Sequence, residues 1–234
     1  MRPTAASARL GSVRRVITSS TTLGRARSER GELVLTRRSD GHLELRANGV
    51  FVMDTENTHT ERELARVALA RANRVGEVLI GGLGLGFTAA EVLADPRVRR
   101  ATVAEIEPAL IEWMRSGVIP HGPELLADPR LQPVAIDIRD AFDQGHTYDL
   151  VLLDVDNGPG YLVHDANAEI YASPFLARVR ESLNPGGAVV IWSASREPTL
   201  LQEMQQVFGA VTEHPYDVQL GTRPETYFLY LSQT

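Results

Sequence analysis

Three pairs of acidic residues stand behind apolar runs in this chain. Glu105 and Glu107 follow residues 101–104, Asp137 and Asp140 follow 133–136, and Asp154 and Asp156 follow 150–153. A carboxylate at the end of a buried run is costly to desolvate unless it is used. Acceptor-only groups of this kind suit ligand hydroxyls, an amino-substituted base or positive charge. Ahead of them, Gly81-Gly82-Leu83-Gly84-Leu85-Gly86 closes another apolar run, 78–81. Glycines let a backbone turn tightly and approach a ligand with no Cβ in the way, and a helix beginning at 87 would present free N–H groups nearby. The spacing is G-x-G-x-G and not the G-x-G-x-x-G of dinucleotide sites, which disfavours an NAD-dependent oxidoreductase.

These residues need a scaffold that brings strand ends together. Strand patterns at 78–81, 101–104, 133–136, 150–153 and 188–192 alternate with helical patterns at 87–93, 108–115, 170–183 and 198–207. Such alternation predicts a parallel sheet covered on both faces, with ligands bound beyond the carboxyl ends of its strands. The glycine loop and the acidic pairs would then line one crevice. Residues 183–187, Leu-Asn-Pro-Gly-Gly, read as a turn that ends one helix and opens the next strand, and 226–231 reads as an antiparallel partner. Ahead of the sheet, β-prone runs at 13–18, 31–36, 43–46 and 50–53 are punctuated by Ser39-Asp40-Gly41 and Asn48-Gly49, which predicts a small antiparallel meander. Residues 58–73 read as a helix with Thr60 as its cap and Glu63 closing a capping box. The expected organisation is a flexible tail over 1–12, the meander over 13–57 and the main domain over 58–234.

Composition removes whole classes of chemistry. The 234 residues are 43% hydrophobic, enough for one full core, without an apolar run that could span a bilayer. No apolar segment follows Arg2 and Arg9, so the expected location is cytoplasmic. The chain has no cysteine and no lysine, all 24 basic residues being arginine. That excludes thiolate nucleophiles, cysteine metal sites, Schiff-base lysines and the P-loop lysine. The six histidines lack metal-ligand spacing, so no metal site is expected, and His59, His146 and His164 read as surface loop residues. Residues 1–46 hold ten arginines against four acids, leaving fourteen against twenty-six in the rest. The basic head lacks interleaved aromatics, so nucleic acid is not an expected partner.

In their order and spacing, these motifs resemble the spermidine synthase branch of the class I S-adenosylmethionine-dependent transferases. The resemblance runs from about Arg15 to Leu231. It takes in the β meander, the helix with Glu63, the glycine loop, Glu105-Ile106-Glu107, Asp140-Ala141-Phe142, Leu153-Asp154-Val155-Asp156 and Leu183–Gly187. It implies an α/β, Rossmann-like class I methyltransferase sheet with a small N-terminal antiparallel β meander, in a homodimer. It also implies that Gly81, Gly82, Gly84, Gly86, Glu105, Ile106, Asp140, Ala141 and Asp154 bind an S-adenosyl cofactor. Glu105 would hold the ribose hydroxyls and Asp140 the adenine amino group. Asp154, with Asp156 beside it, would serve catalysis as base or orienter of the nucleophile.

The chain also departs from the family pattern. Gly84 and Leu85 stand where aminopropyltransferases carry a loop aspartate that recognises the amine of decarboxylated S-adenosylmethionine. The amine-binding Tyr-His-Glu run is replaced by Thr60-Glu61-Arg62-Glu63-Leu64, in which only Glu63 matches. These departures favour methyl transfer from S-adenosylmethionine to a small-molecule acceptor, with loop N–H groups holding the methionine carboxylate. Aminopropyl transfer from the decarboxylated donor is the alternative, and a non-catalytic S-adenosyl-binding protein the second.

Overall fold

The computed structural model describes residues 20–143, 145–220 and 223–234. The expected tail over 1–12 and strand over 13–18 lie outside the described residues. An antiparallel sheet comes first, with β1 (Thr21–Ser28), β2 (Gly31–Arg37), β3 (Leu43–Ala47) and β4 (Val50–Asp54) adjacent in chain order. Gly41, Asn48 and Gly49 turn the chain at positive φ, as tight hairpins require. Leu33, Leu35, Leu43 and Leu45 alternate inward and are buried, each worth about 1.5–3 kcal/mol of transfer free energy. β1 is an exposed edge with an irregular register between Thr22 and Gly24, which is why its sequence shows no alternation.

Helix α1 (His59–Arg71) begins directly after Thr58, so Thr60 sits inside the first turn and the expected capping box does not form. The Thr60 hydroxyl instead donates to Glu61 Oε2 at 3.1 Å, and Glu63 pairs with Arg66. The chain then continues through β5 (Glu77–Gly81), α2 (Phe87–Ala94), β6 (Arg100–Glu105), α3 (Pro108–Ser116), α4 (Gly122–Leu126), β7 (Leu131–Ala135) and β8 (Tyr148–Leu153). After these come α5 (Ser173–Ser182), β9 (Leu183–Ser193), α6 (Pro198–Phe208), β10 (Thr212–Leu220) and β11 (Arg223–Gln233). Spatially the second sheet reads β10-β11-β9-β8-β5-β6-β7, parallel from β9 to β7, with β11 antiparallel to both its neighbours.

Alternation along these strands feeds two cores. Val78, Ile80, Val103, Leu150, Leu152 and Val190 face α1, α2 and α3, and this core continues into the leucines of the antiparallel sheet. Leu79, Val151, Leu153, Val189 and Ile191 face the other side, against Leu176, Val179, Leu200 and Met204 of α5 and α6. Cover on both faces is incomplete, contrary to expectation. Among the described residues a 3-10 turn, Asp140–Phe142, is the one helical element between β7 and β8, and on that side Gln132 and Val134 are exposed.

The expected helix over 170–183 is also divided, into a 3-10 segment at Asp165–Tyr171 and α5. β9 starts at Leu183, so Gly186 and Gly187 lie within an irregular strand start and not just past a helix end. The Asn184 amide, donating to Asp149 Oδ1 at 2.8 Å, anchors that irregularity. Among the described residues, no helix is long and apolar enough to cross a membrane.

Candidate active site

β5 and β8 are neighbours, yet the chain leaves β5 toward β6 and leaves β8 toward β9. Strand order reverses between them, which opens a crevice at their carboxyl ends. The glycine loop follows β5 and Asp154 follows β8, joined by the Asp154 N–H donating to Gly81 O at 2.9 Å. Gly82 has φ +93°, and a Cβ there would come within 2.1 Å of Asp154 O, so only glycine lets the two strand exits close up. Gly84, at φ +50°, has Met53 Sδ 2.6 Å from where its Cβ would stand.

The loop N–H groups, expected as donors for a methionine carboxylate, already have partners. Gly82 donates to Ala104 O at 2.9 Å and Gly86 to Leu83 O at 2.8 Å. Leu83 donates to Glu105 Oε2 at 2.8 Å, with Gly84 directed at the same carboxylate. Leu85 meets the Met53 thioether at 3.1 Å. Behind the loop, His121 Nε2 lies 2.7 Å from Leu85 O.

A cavity opens over this junction. Glu32, Glu61, Glu105, Glu107, Asp137, Asp154 and Asp156 line it against a single arginine among the described residues, Arg30. Leu33, Leu45, Val52, Met53, Leu110, Ile138 and Trp192 supply apolar wall. Such a lining suits a cationic ligand with a flat, apolar portion. Of the residues expected in the site, Gly82, Gly84, Glu105, Ile106, Asp154 and Asp156 line the cavity.

Gly81, Gly86, Asp140 and Ala141 do not line it. Gly81 lies within β5, and Gly86 caps α2 against Leu125 and Met114. Asp140 is exposed at the head of its 3-10 turn, and Ala141 sits inside that turn. Asp137, nearer the end of β7, faces the cavity instead. Its carboxylate is held by Arg139, whose ion pair keeps the pKa below the usual range although burial opposes this.

Glu105 ends β6 almost wholly buried and accepts the N–H of Glu107 at 2.7 Å as well as that of Leu83. Burial raises its pKa while these amides pull it down. Leu83, Gly84 and Glu107 take three of the carboxylate's roughly four acceptor sites, so room for one ligand hydroxyl remains. Asp154 is half-buried, and burial raises its pKa to about 6 against a 2.8 Å hydrogen bond from the Thr88 hydroxyl.

Glu61, and not the Glu63 that the family pattern matches, is buried in the same cavity. Burial, and then the nearby Asp154 charge, push it up to about 8. Its signal lay in helical spacing: Glu61 shares the buried face of α1 with Leu64, Ala65 and Ala68, whereas Glu63 points outward to Arg66.

Asp156 reaches the cavity edge with φ +60°. Its carboxylate accepts from the N–H groups of Asn157, Val163 and His164 and from Asn167 Nδ2, closing the loop that follows β8. Asp156, expected beside Asp154 in catalysis, thus lines the cavity and also closes this loop. His164, expected at the surface, lines the cavity through this loop.

Besides the Leu85–Met53 contact, further hydrogen bonds fasten the antiparallel sheet over the site. Arg30 pairs with Glu107 at 2.9 Å and donates to Ile106 O at 2.6 Å, and Asn157 Nδ2 donates to Phe51 O at 3.2 Å. The cavity therefore has an apolar cover from β2 to β4, a carboxylate floor at the strand ends, and Glu61 with Asp154 beside the glycine loop.

This is the spermidine synthase-like form of a Rossmann-like α/β fold. Two solved spermidine synthases superpose on it at 16% sequence identity: one in complex with the transition state analogue AdoDATO (TM-score 0.79, 91% of this chain and 73% of that one), and one from Thermotoga maritima (TM-score 0.77, 91% and 72%). In sequence the chain is similar to the polyamine aminopropyltransferase of Corynebacterium efficiens, 29% identical over 206 residues, which is 83% of this chain and 38% of the relative. It is 27% identical over 201 residues to that of Mycobacterium tuberculosis, 82% of this chain and 37% of the relative. To polyamine aminopropyltransferase 2 of Pseudomonas aeruginosa it is 31% identical over 133 residues, 55% and 36%. The chain thus spans well under half the length of these curated relatives, and no family model matches it. The expectation of methyl transfer is corrected by these comparisons, because relatives and structural neighbours alike are aminopropyltransferases or spermidine synthases.

Proposed function

We propose that this chain transfers an aminopropyl group from decarboxylated S-adenosylmethionine to an amine of a small diamine or polyamine. The observation that carries this reading is the presence of Glu61 and Asp154 together in a cavity whose one arginine among the described residues is bound to Glu107. Two carboxylates without a free cation between them form a receptor for positive charge, and both donor and acceptor carry it. The names of the sequence relatives support the same chemistry.

In this reading Glu105 accepts a ribose hydroxyl. Asp137 receives the adenine amino group, and the leucines of β2 and β3 cover the base. Glu61, protonated near neutral pH in the empty cavity, becomes charged when an ammonium group lies beside it. Asp154, its pKa near 6, takes the proton from the attacking amine, a task that needs a base ionised at neutral pH. The amine lone pair forms a bond to the aminopropyl carbon next to sulfur. The carbon–sulfur electron pair returns to sulfur, and methylthioadenosine leaves as a neutral thioether. Thr88 holds Asp154 in place, and Asp156 shapes the loop beside it.

The test is incubation of the protein with decarboxylated S-adenosylmethionine and, separately, putrescine, cadaverine and spermidine. Mass spectrometry should show a product heavier by one aminopropyl group, with methylthioadenosine released in equal amount. Absence of product with every amine, from protein that still binds methylthioadenosine, would overturn the reading.

A further inference from the structure

Donor selectivity needs a source here, because Gly84 and Leu85 occupy the loop position at which an aspartate was expected. We infer that Met53 sets it: the thioether covers the Leu85 N–H and so leaves the glycine loop without an anchor for the carboxylate of S-adenosylmethionine. This rests on the donor reading above. From Gly82 to Gly86 the other four N–H groups face Ala104 O, the Glu105 carboxylate and Leu83 O. Among the described residues Leu85 N–H alone meets no oxygen, and it is closed off by Met53 Sδ at 3.1 Å.

A thioether is a weak acceptor, which any carboxylate able to reach the amide would displace. What holds Met53 there is the sheet. Met53 pairs with Leu45 across β3 and β4, next to an irregularity in register between Leu45 and Arg46, and both side chains line the cavity. Its sulfur stands 2.6 Å from the Cβ position that Gly84 leaves empty, so the close approach depends on that glycine. A carboxylate entering here would meet sulfur and methyl in place of N–H donors, beside Glu61 and Asp154, without the donors or cation that desolvated anions require. A donor that lacks the carboxylate loses nothing.

Calorimetric titration of wild type, Met53→Ala and Met53→Leu with S-adenosylmethionine, its decarboxylated form and methylthioadenosine tests the assignment. Methylthioadenosine binding certifies an intact pocket in each variant. Wild type should prefer the decarboxylated donor. Met53→Ala should narrow that preference by roughly tenfold or more, the scale of a charge-assisted hydrogen bond regained, and Met53→Leu, which keeps the bulk, should retain it. An unchanged preference in Met53→Ala, a collapsed one in Met53→Leu, or equal affinities in wild type would each overturn the inference. The readout is an affinity ratio and not turnover, so it stands or falls separately from the proposed reaction.

Discussion

The Thr88 hydroxyl donates to Asp154 Oδ2 across 2.8 Å, tying the first turn of α2 to the residue that leaves β8. Burial raises the Asp154 pKa to about 6, and this bond restrains the rise. Thr88→Val should therefore move the pKa higher still, shifting the acid limb of the kcat/KM profile for aminopropyl transfer to higher pH. Asp154→Asn should lower turnover by roughly 10²-fold, the scale of a positioned general base, and should keep methylthioadenosine binding. A pH–rate series and a binding titration separate the two effects.

Glu61 makes stability depend on pH in a direction opposite to that of the ion-paired acids. Its folded pKa, about 8, lies above the ordinary value of 4.5. The stabilisation from protonated Glu61 is therefore complete below about pH 4.5 and is lost as pH rises through 8. Glu61→Gln should raise the melting temperature of the unliganded protein by several degrees at pH 8.5, the shift expected for a change of one or two kcal/mol. Near pH 5 it should change little. The same variant should bind the decarboxylated donor more weakly at neutral pH. Thermal melts across that range, with and without donor, check both signs.

In the proposed reading, adenosyl recognition divides between Glu105 and Asp137. Glu105→Gln should weaken methylthioadenosine by about 1.5–3 kcal/mol, the cost of a lost charged hydrogen bond. Asp137→Asn should also weaken it, and Asp140→Ala should leave affinity unchanged. Equal losses at Asp137 and Asp140 would return the adenine contact to the residue named from sequence. Calorimetry with methylthioadenosine distinguishes these outcomes.

Arg30 fastens the β1–β2 turn to the segment that follows β6. Arg30→Met should cost about 1 kcal/mol of stability at most, because the pair is partly exposed to water. Its larger effect should be faster dissociation of adenosyl ligands, as the apolar cover loosens. Stopped-flow displacement of a fluorescent adenosyl ligand measures that rate.

Much of the fold was determined by local pattern. Runs such as Leu79–Val151–Val189 on one sheet face and Val78–Leu150–Val190 on the other follow from strand periodicity, and Asp40-Gly41 and Asn48-Gly49 specify turns that few other residues allow. The acids behind β6 and β8 were legible because strand ends lie at the same side of a parallel sheet. Other features depended on contacts between distant segments. β1 has no alternation to read, since its side chains stay largely in water. Glu61 and Glu63 are two residues apart on one helix, and only the packing of α1 decides that the first enters the cavity and the second meets Arg66. Asp137 and Asp140 differ likewise, because the chain turns immediately after β7 and carries Asp140 outward. Met53 and Leu85 are far apart in sequence and meet only because the antiparallel sheet closes over the glycine loop. Periodicity assigns a side chain to a face. Which face meets which is decided by the tertiary fold, where burial of the shared apolar core leaves a few polar groups no route back to water.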